Sequence, residues 1–520
     1  MLGVHRTNQW HQHGASVQTD SRRWDDRRNC ESSQKRMAIV EVDITIIGAG
    51  AAGLSATAEA VKLGARVALV DDNQHPGGQY FRQPAPKNFT FASLASDRDR
   101  QRFEILVNAL DSPLVDYRPG ATVWDIHDPL TIGVADGQRS GRIQSSAIVI
   151  AAGARDHVYP FPGWTLPGVI TAGGSQNLIK GMGVIPAGPI VVAGNGPLLL
   201  VAAASLVSVG AEVAVVVEAS NRSWNIVRHA GELIYGGSNL RLAVKYLRTL
   251  RKARIPVLRG YGVIAANGGD SLNSVEIAPI DSNGKFIRSQ VRQIAAKTMV
   301  IGTGLTPSLE LPRLLGLEEV SMPLRGGPNV LTNEKMMSST RGVFVAGDGS
   351  SIGGVELSLV EGRIAGINAA VHADITVSKS AKATLTRDFT AHKRLCRFRS
   401  GLESVFMTKV DWYDLITPET IICRCEDVTL SELEKYKAKG LTTPLQLKAA
   451  TRTGMGRCQG RNCLASLAAV TKSGSRDKEP NGEMPRTRPP ARPILLSELL
   501  HEQLAPPELP EDPHLPRKRE

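Results

Sequence analysis

Short, solid apolar blocks alternate along this chain with longer stretches of helical period, the pattern of buried parallel strands joined by helices. Residues 42–47 form the first such block, followed by a glycine loop at 48–53, a helix expected over 54–63 and a second strand over 66–70. The same order recurs from Ile190, with a loop at Gly194 to Gly196, a helix through Val209 and a strand at 212–217. Residues 147–153 and 298–304 are matching strands that end in glycine. A further buried strand at 342–348 ends in Gly347-Asp348 and precedes a helical pattern over 356–370. The reading is α/β, with two Rossmann-like dinucleotide-binding domains, the second inserted in the first. The expected bounds are 38–160 and 335–375 for the first domain and 161–334 for the second.

The pattern differs elsewhere. Residues 1–37 are polar, carry no period and are expected to be a disordered leader, with Met37 the expected true start. Residues 376–416 are basic and mixed, and are assigned as a connector. A small helical module is expected at 417–473. Thr429 with Glu432 is a capping-box pattern with Gly440 as a stop, and Thr443, Pro444 and Gln446 start the next helix. The remainder, 474–520, is a Pro- and charge-rich tail whose apolar island at 494–500 could dock on the body or on a partner.

The apolar run 190–217 is long enough to span a bilayer. Gly194, Asn195, Gly196, Pro197 and Glu212 interrupt it, so it reads as strand, loop, helix and strand, and no transmembrane segment is predicted. The net charge of +12 lies largely in the two ends. Aromatics make up 5% of residues and no basic stripe with stacking rings occurs, which argues against nucleic acid. Six cysteines, four of them clustered, fit a reducing compartment and a metal or redox site, and the start of the chain has no signal-peptide core; a cytoplasmic location follows.

Gly48-Ala49-Gly50-Ala51-Ala52-Gly53 has the spacing of the dinucleotide fingerprint. Its glycines serve a tight turn, close approach to a pyrophosphate and helix–strand packing, and the helix N-terminus offers free N–H groups to phosphate. Asp71, with Asp72 as the alternative, stands where a ribose-binding acid is expected. Gly347-Asp348 ends a second buried strand and can accept from a sugar or ribityl hydroxyl; an N-cap is the competing role. Together they argue for FAD. The second loop keeps Gly194 and Gly196 but has Leu199 where Gly or Ala is usual. Val217 occupies the position matching Asp71, with Glu218 one residue later. NAD(P)H binding there stays open.

Cys423 and Cys425 form C-x-C, and Cys458 and Cys463 form C-x4-C. Four thiolates suit zinc or a [2Fe–2S] cluster, and the spacing departs from zinc knuckles, so the cluster is favoured. Gly454, Gly456 and Gly460 would let backbone N–H groups reach cluster sulfurs. Cys30 and Cys396 are isolated, His75 reads as a surface histidine, and no catalytic acid or base stands out.

With Pro76-Gly77-Gly78-Gln79, the run from Pro162 to Val169, Cys423-Arg424-Cys425-Glu426 and the run from Gly454 to Cys463, the chain resembles a known group. This is the large FAD- and [2Fe–2S]-containing subunits of multicomponent amino-acid-type dehydrogenases, among them those of opine oxidase, hydrogen cyanide synthase and D-hydroxyproline dehydrogenase. The cysteine module is also similar to that of anaerobic glycerol-3-phosphate dehydrogenase, a relative of bacterioferritin-associated ferredoxin. The resemblance implies that Gly48, Gly50, Gly53, Asp71 and Asp348 hold FAD and that the four clustered cysteines hold the cluster. It further implies a D-amino-acid-oxidase-like flavoprotein partner that oxidises the substrate, with a small ferredoxin-like subunit and peripheral membrane contact as further associations. An electron-transferring subunit is therefore the leading expectation. A self-sufficient NAD(P)H-dependent reductase, resting on the Gly194 loop and Glu218, is the second. A nucleotide-binding scaffold with structural zinc is the third.

Overall fold

The computed structural model describes residues 39–83, 97–128, 130–221, 223–322, 327–471 and 485–500. The expected leader and Cys30 lie outside these. The first strand, Ile39–Ile47, alternates in burial at its outer end and is continuously buried toward the loop, as befits a strand covered on both faces. It lies parallel between Val67–Asp71 and Ser140–Ile150, and Val115–Pro119 extends the sheet beyond Val67–Asp71. The long strand Ser140–Ile150 serves two partners at its two ends. Its first half pairs antiparallel with Thr131–Ala135, and its last three residues pair parallel with Val343–Val345. Residues 343–345 thus return the chain to the first sheet.

Helix Ala51–Lys62 packs on helix Val355–His372, and both bury against one face of that sheet through Ile44, Ile46, Leu54, Leu69, Ile364 and Phe344. Each side chain of this size taken fully out of water contributes about 1.5–3 kcal/mol. A second parallel sheet contains Val169–Thr171, Thr298–Gly302, Ile190–Gly194, Val213–Glu218 and Val257–Arg259. Helix Pro197–Ser208 covers one face, and an antiparallel sheet of Tyr261–Gly268, Leu272–Pro279 and Arg292–Ala295 covers the other. The two chain crossings between the sheets, Ala154–Asp156 and Leu305–Pro307, pair with each other antiparallel.

The segment assigned as a connector contains a 27-residue helix, Lys379–Val405. Ser378 caps it by accepting from Ala381 N, and its buried Asp388 takes Arg363 of the neighbouring helix at 2.6 and 3.0 Å. The cysteine module follows. Thr429 caps helix Leu430–Lys437, and Thr443 with Gln446 forms a complete capping box on helix Pro444–Thr451. Ile422, Val428, Leu433, Leu447 and Leu467 make its small core, to which Cys423 and Cys463 also belong. The island in the tail forms the short helix Leu496–Leu500 and docks on the first domain: Gly137 N donates to Glu498 Oε1 at 2.6 Å.

Candidate functional site

The first glycine loop is a close fit between three backbones. A Cβ on Gly53 would stand 1.7 Å from Gly48 O, and one on Gly48, whose φ is +103°, would stand 2.4 Å from Ala151 O. Gly50 differs, since a Cβ there would meet only Gly78 Cα, at 3.9 Å. Its surroundings are open on the side where a pyrophosphate would approach. Asp71 ends the second strand and accepts from Ala49 N on one oxygen and from Asn73 N and Nδ2 on the other. Burial raises its carboxyl above the usual range, opposed by those bonds from Asn73 and Ala49. Asp72 is exposed and faces Arg492.

Gly48, Gly50, Asp71, Asp72 and Asp348 line one cavity of about 1760 Å³. Gly347 donates its N–H to the buried Glu361 Oε2 at 2.8 Å, which fixes the turn carrying Asp348. Asp348 Oδ1 accepts from Gly353 N and Gly354 N, both at 2.8 Å. One oxygen therefore organises the loop before helix Val355–His372, whose N-cap is Gly354 and not Asp348 as the competing role had it, and the residue still borders the cavity. His75 is exposed and is not among the lining residues.

The second loop departs from the sequence reading in one respect. Glu218, not Val217, matches Asp71: it is the last residue of its strand and pairs in register with Gly194. A bulge between Val213 and Val215 inserts the extra residue that shifted the spacing. Glu218 is 0% exposed, lies 3.7 Å from Arg259 Nε and accepts from Ser220. Between the two glycines, Asn195 Nδ2 donates to Phe406 O at 2.7 Å, so the segment after the long helix lies against this loop.

The four clustered thiols come together in a chain of contacts, Cys423 with Cys463, Cys463 with Cys458, and Cys458 with Cys425. They meet pairwise; among the described residues no three Cys, His, Asp or Glu side chains are gathered for a single ion. The hydrogen bond from Cys463 pushes the Cys423 thiol down to about 6 and that of Cys458 down to about 4. Those same contacts raise Cys463, and burial raises Cys425. Backbone N–H groups of Gly454 and Glu426 reach Cys423, and those of Asn462 and Gly460 reach Cys458. A Cβ on Gly456 would stand 2.4 Å from Cys425 Cβ. Four soft sulfur donors with backbone N–H groups directed at them suit an iron–sulfur cluster. The open cradle at Gly50, with the buried Asp71 at one end and the half-buried Asp348 at the other, likewise suits a dinucleotide.

Three residues outside the expected set join these two regions. Arg155 Nε donates to Arg461 O at 3.2 Å and its Nη1 to Glu310 Oε1 at 3.0 Å. Arg461 Nε lies 3.0 Å from the same Glu310 oxygen as an ion pair without hydrogen-bond alignment. Arg461 stands between Cys458 and Cys463 in the chain, and Arg155, Glu310 and Arg461 all line the cavity. Only Arg461 carried any signal in the sequence, by its place between two thiols. Gln176 and Lys180, which also line the cavity, were likewise not foreseen.

A fold of two dinucleotide domains with a cysteine module defines a class, the flavin-dependent oxidoreductases with an iron–sulfur domain. The chain belongs to the pyridine nucleotide-disulphide oxidoreductase family, whose profile matches residues 42–373, and residues 421–472 match the BFD-like [2Fe-2S] binding domain. It is 32% identical over 470 residues to the A subunit of opine oxidase from Agrobacterium tumefaciens (strain Ach5), covering 88% of this chain and 91% of that one. It is 30% identical over 420 residues to hydrogen cyanide synthase subunit HcnB of Pseudomonas aeruginosa, covering 81% and 90%. The crystal structure of L-proline dehydrogenase from P. horikoshii shares its fold, with a TM-score of 0.61 at 20% identity over 88% of this chain and 79% of that one. The protein is an FAD- and [2Fe–2S]-dependent oxidoreductase of the kind found as a subunit of multicomponent dehydrogenases. No helix among the described residues is long and apolar enough to cross a membrane.

Proposed function

We propose that this chain is the electron-transferring subunit of a dehydrogenase acting on opines or related amino and imino acids, with a separate D-amino-acid-oxidase-like flavoprotein oxidising the substrate. FAD, when bound, takes up electrons in pairs and a [2Fe–2S] cluster passes them singly, so the two together convert one kind of delivery into the other. Gly48, Gly50, Gly53, Asp71, Gly347 and Asp348 hold the FAD, and Cys423, Cys425, Cys458 and Cys463 ligate the cluster. The FAD domain comprises 38–160 and 335–375, and the cysteine module 417–473. Pairing of Val343–Val345 with Ser140–Ile150 supports the first of these assignments.

The observation that carries the reading is the place of Arg461. It sits within the C-x4-C loop and also borders the dinucleotide cavity, where Glu310 and Arg155 hold it. The cysteine loop therefore abuts the cavity wall, as direct electron exchange requires. The names of the relatives, each a subunit of a larger enzyme, support a hetero-oligomer. The test is to assay the purified chain alone with proline, hydroxyproline, glycine and opines and an artificial acceptor. No turnover is expected without a partner, and brisk turnover would remove the proposal.

A second reading, an NAD(P)H-dependent reductase, is favoured by one observation: Pro197 and Leu198, at the start of the helix after the second glycine loop, line the same cavity. The engagement of Asn195 by Phe406 and the burial of Glu218 against Arg259 weigh against it. Anaerobic NADH and NADPH should leave the flavin absorbance unbleached; rapid bleaching would reverse the ranking.

A further inference from the structure

Gln176 is 7% exposed, yet neither its Oε1 nor its Nε2 has a hydrogen-bond partner. A buried amide with both ends unpaired is costly, and a leucine or methionine would fill the space without that cost. Gln176 also lines the cavity. It ends the short helix Ala172–Gln176, after which the chain widens into a π-helical turn, Asn177–Met182. Turns of this kind re-aim side chains and recur at functional sites. Two further groups of that turn border the cavity, Asn177, whose Oδ1 is also unpartnered, and Lys180.

The turn is wedged between two parts of the dinucleotide site. In the short helix that leads into it, Gly173 N donates to Asp156 Oδ1 at 3.0 Å, which ties that helix to the segment after the first sheet. At its end, a Cβ on Gly181 would stand 3.3 Å from Arg82 Cδ, in the segment that continues from Gly78. Gly78 itself lies against Gly50. An FAD held with its adenosine at Asp71 and its pyrophosphate at Gly50 would have Gly78 beside it and the space bordered by this turn ahead of it.

We propose that Gln176 and Lys180 hold and tune the redox ring of the flavin. The amide of Gln176 pairs with the alternating C=O and N–H edge of the ring, and the Lys180 ammonium faces that same edge. The inference rests on the reading above that the first glycine loop holds FAD. Taking up two electrons and one proton at N5 leaves one negative charge spread over N1 and C2=O. A cation held near this edge in a site of low polarity stabilises the reduced form over the oxidised one. Burial pushes the Lys180 ammonium below the usual lysine range, with Asp99 opposing and Arg82 reinforcing the shift. An anion arriving beside it therefore meets a poorly solvated cation.

The experiment uses the full chain with its cofactors bound and compares Lys180→Met, Lys180→Gln, Lys180→Arg and Gln176→Leu. The flavin midpoint potential is measured by dye-equilibrated dithionite titration, and sulfite affinity provides a second readout of electron demand at the ring. Both neutral Lys180 variants should shift the reduced-to-oxidised ratio at least tenfold toward oxidised, about 30 mV for this two-electron couple. Sulfite should bind them about tenfold more weakly. Lys180→Arg should restore most of both, an outcome that a packing role would not give. Gln176→Leu should move the flavin absorbance bands and weaken FAD retention about tenfold. If Lys180→Met and Lys180→Gln retain flavin with potential and sulfite affinity changed less than twofold, the inference fails while the FAD reading stands. If the unmodified protein carries no flavin, that reading fails and this inference with it.

Discussion

Arg155 donates from Nη1 to Glu310 Oε1 at 3.0 Å, and this partly buried ion pair is where the cavity beside the first glycine loop meets the cysteine loop. The same carboxylate oxygen lies 3.0 Å from Arg461, so one negative charge holds two guanidinium groups together. Replacing Glu310 by Gln leaves the two cations facing each other. The expected result is a loss of roughly 1–3 kcal/mol in stability and about tenfold slower electron passage between flavin and cluster. Rapid-mixing absorbance, following flavin bleaching and cluster bleaching separately, measures the rate. An unchanged rate would mean that this contact does not set the spacing of the two centres.

The two glycines after the first strand should respond differently to one added methyl. Gly53→Ala drives a Cβ into Gly48 O and should cost more than the usual ~1–3 kcal/mol of overpacking, leaving little folded protein. Gly50→Ala meets only an ordinary contact at Gly78, so its melting temperature should stay near that of the parent. Its FAD affinity should nevertheless fall about 10–100-fold, because the methyl occupies the pyrophosphate approach. Flavin content after gel filtration and a thermal melt separate the two effects.

Cys458→Ser should remove iron and acid-labile sulfide while leaving FAD in place. Cys458 is the sulfur in contact with both Cys463 and Cys425, and it also receives two backbone N–H groups. The module's core of Leu433, Leu447 and Leu467 is separate from the first sheet's core, so flavin binding should not follow the metal. Colorimetric iron and sulfide against flavin absorbance gives the ratio, and zinc without sulfide in the parent protein would overturn the cluster assignment.

Acid should weaken the fold through His157. Burial, with the nearby Arg155, pushes its imidazole down to about 4 from an ordinary value near 6.5. The unfolded chain therefore takes up this proton first. The contribution of His157 is intact above about pH 6.5 and is lost as pH falls from there toward 4. After allowance for its partial exposure, the loss is roughly 2 kcal/mol. His157→Gln should flatten that part of the profile in urea unfolding followed at pH 7.5, 6, 5 and 4.5. The stacked ring of Tyr159, 4.4 Å away between centroids, would be left in a looser contact.

Legibility followed how local each constraint is. The first loop was readable because its glycine spacing is local: Gly53 is required by Gly48 O five residues earlier, even though Gly48 itself is required by Ala151 O from a distant strand. The helices capped by Thr429 and Thr443 were readable for the same reason. Glu218 was placed one residue late in the alignment with Asp71, because a bulge adds a residue that leaves no mark in composition. Helix Lys379–Val405 escaped notice since its buried face is sparse and broken by Asp388, whose burial depends on Arg363 from another helix. Gln176 and Lys180 follow two glycines, a context with weak helical propensity, and their shared wall exists only once the two sheets are side by side. The meeting of Arg155, Glu310 and Arg461 depends on segments far apart in the chain, which no local pattern encodes.

The strand that completes the first sheet comes from residues 343–345, whereas among the described residues every strand of the second sheet lies between residues 169 and 302. During synthesis from the N-terminus, the inserted half emerges whole while the outer half still waits for its last strand. Vectorial synthesis therefore delivers the inserted sheet whole before the last strand of the outer one, and the Asp348 loop that follows that strand into the cavity wall, have been made.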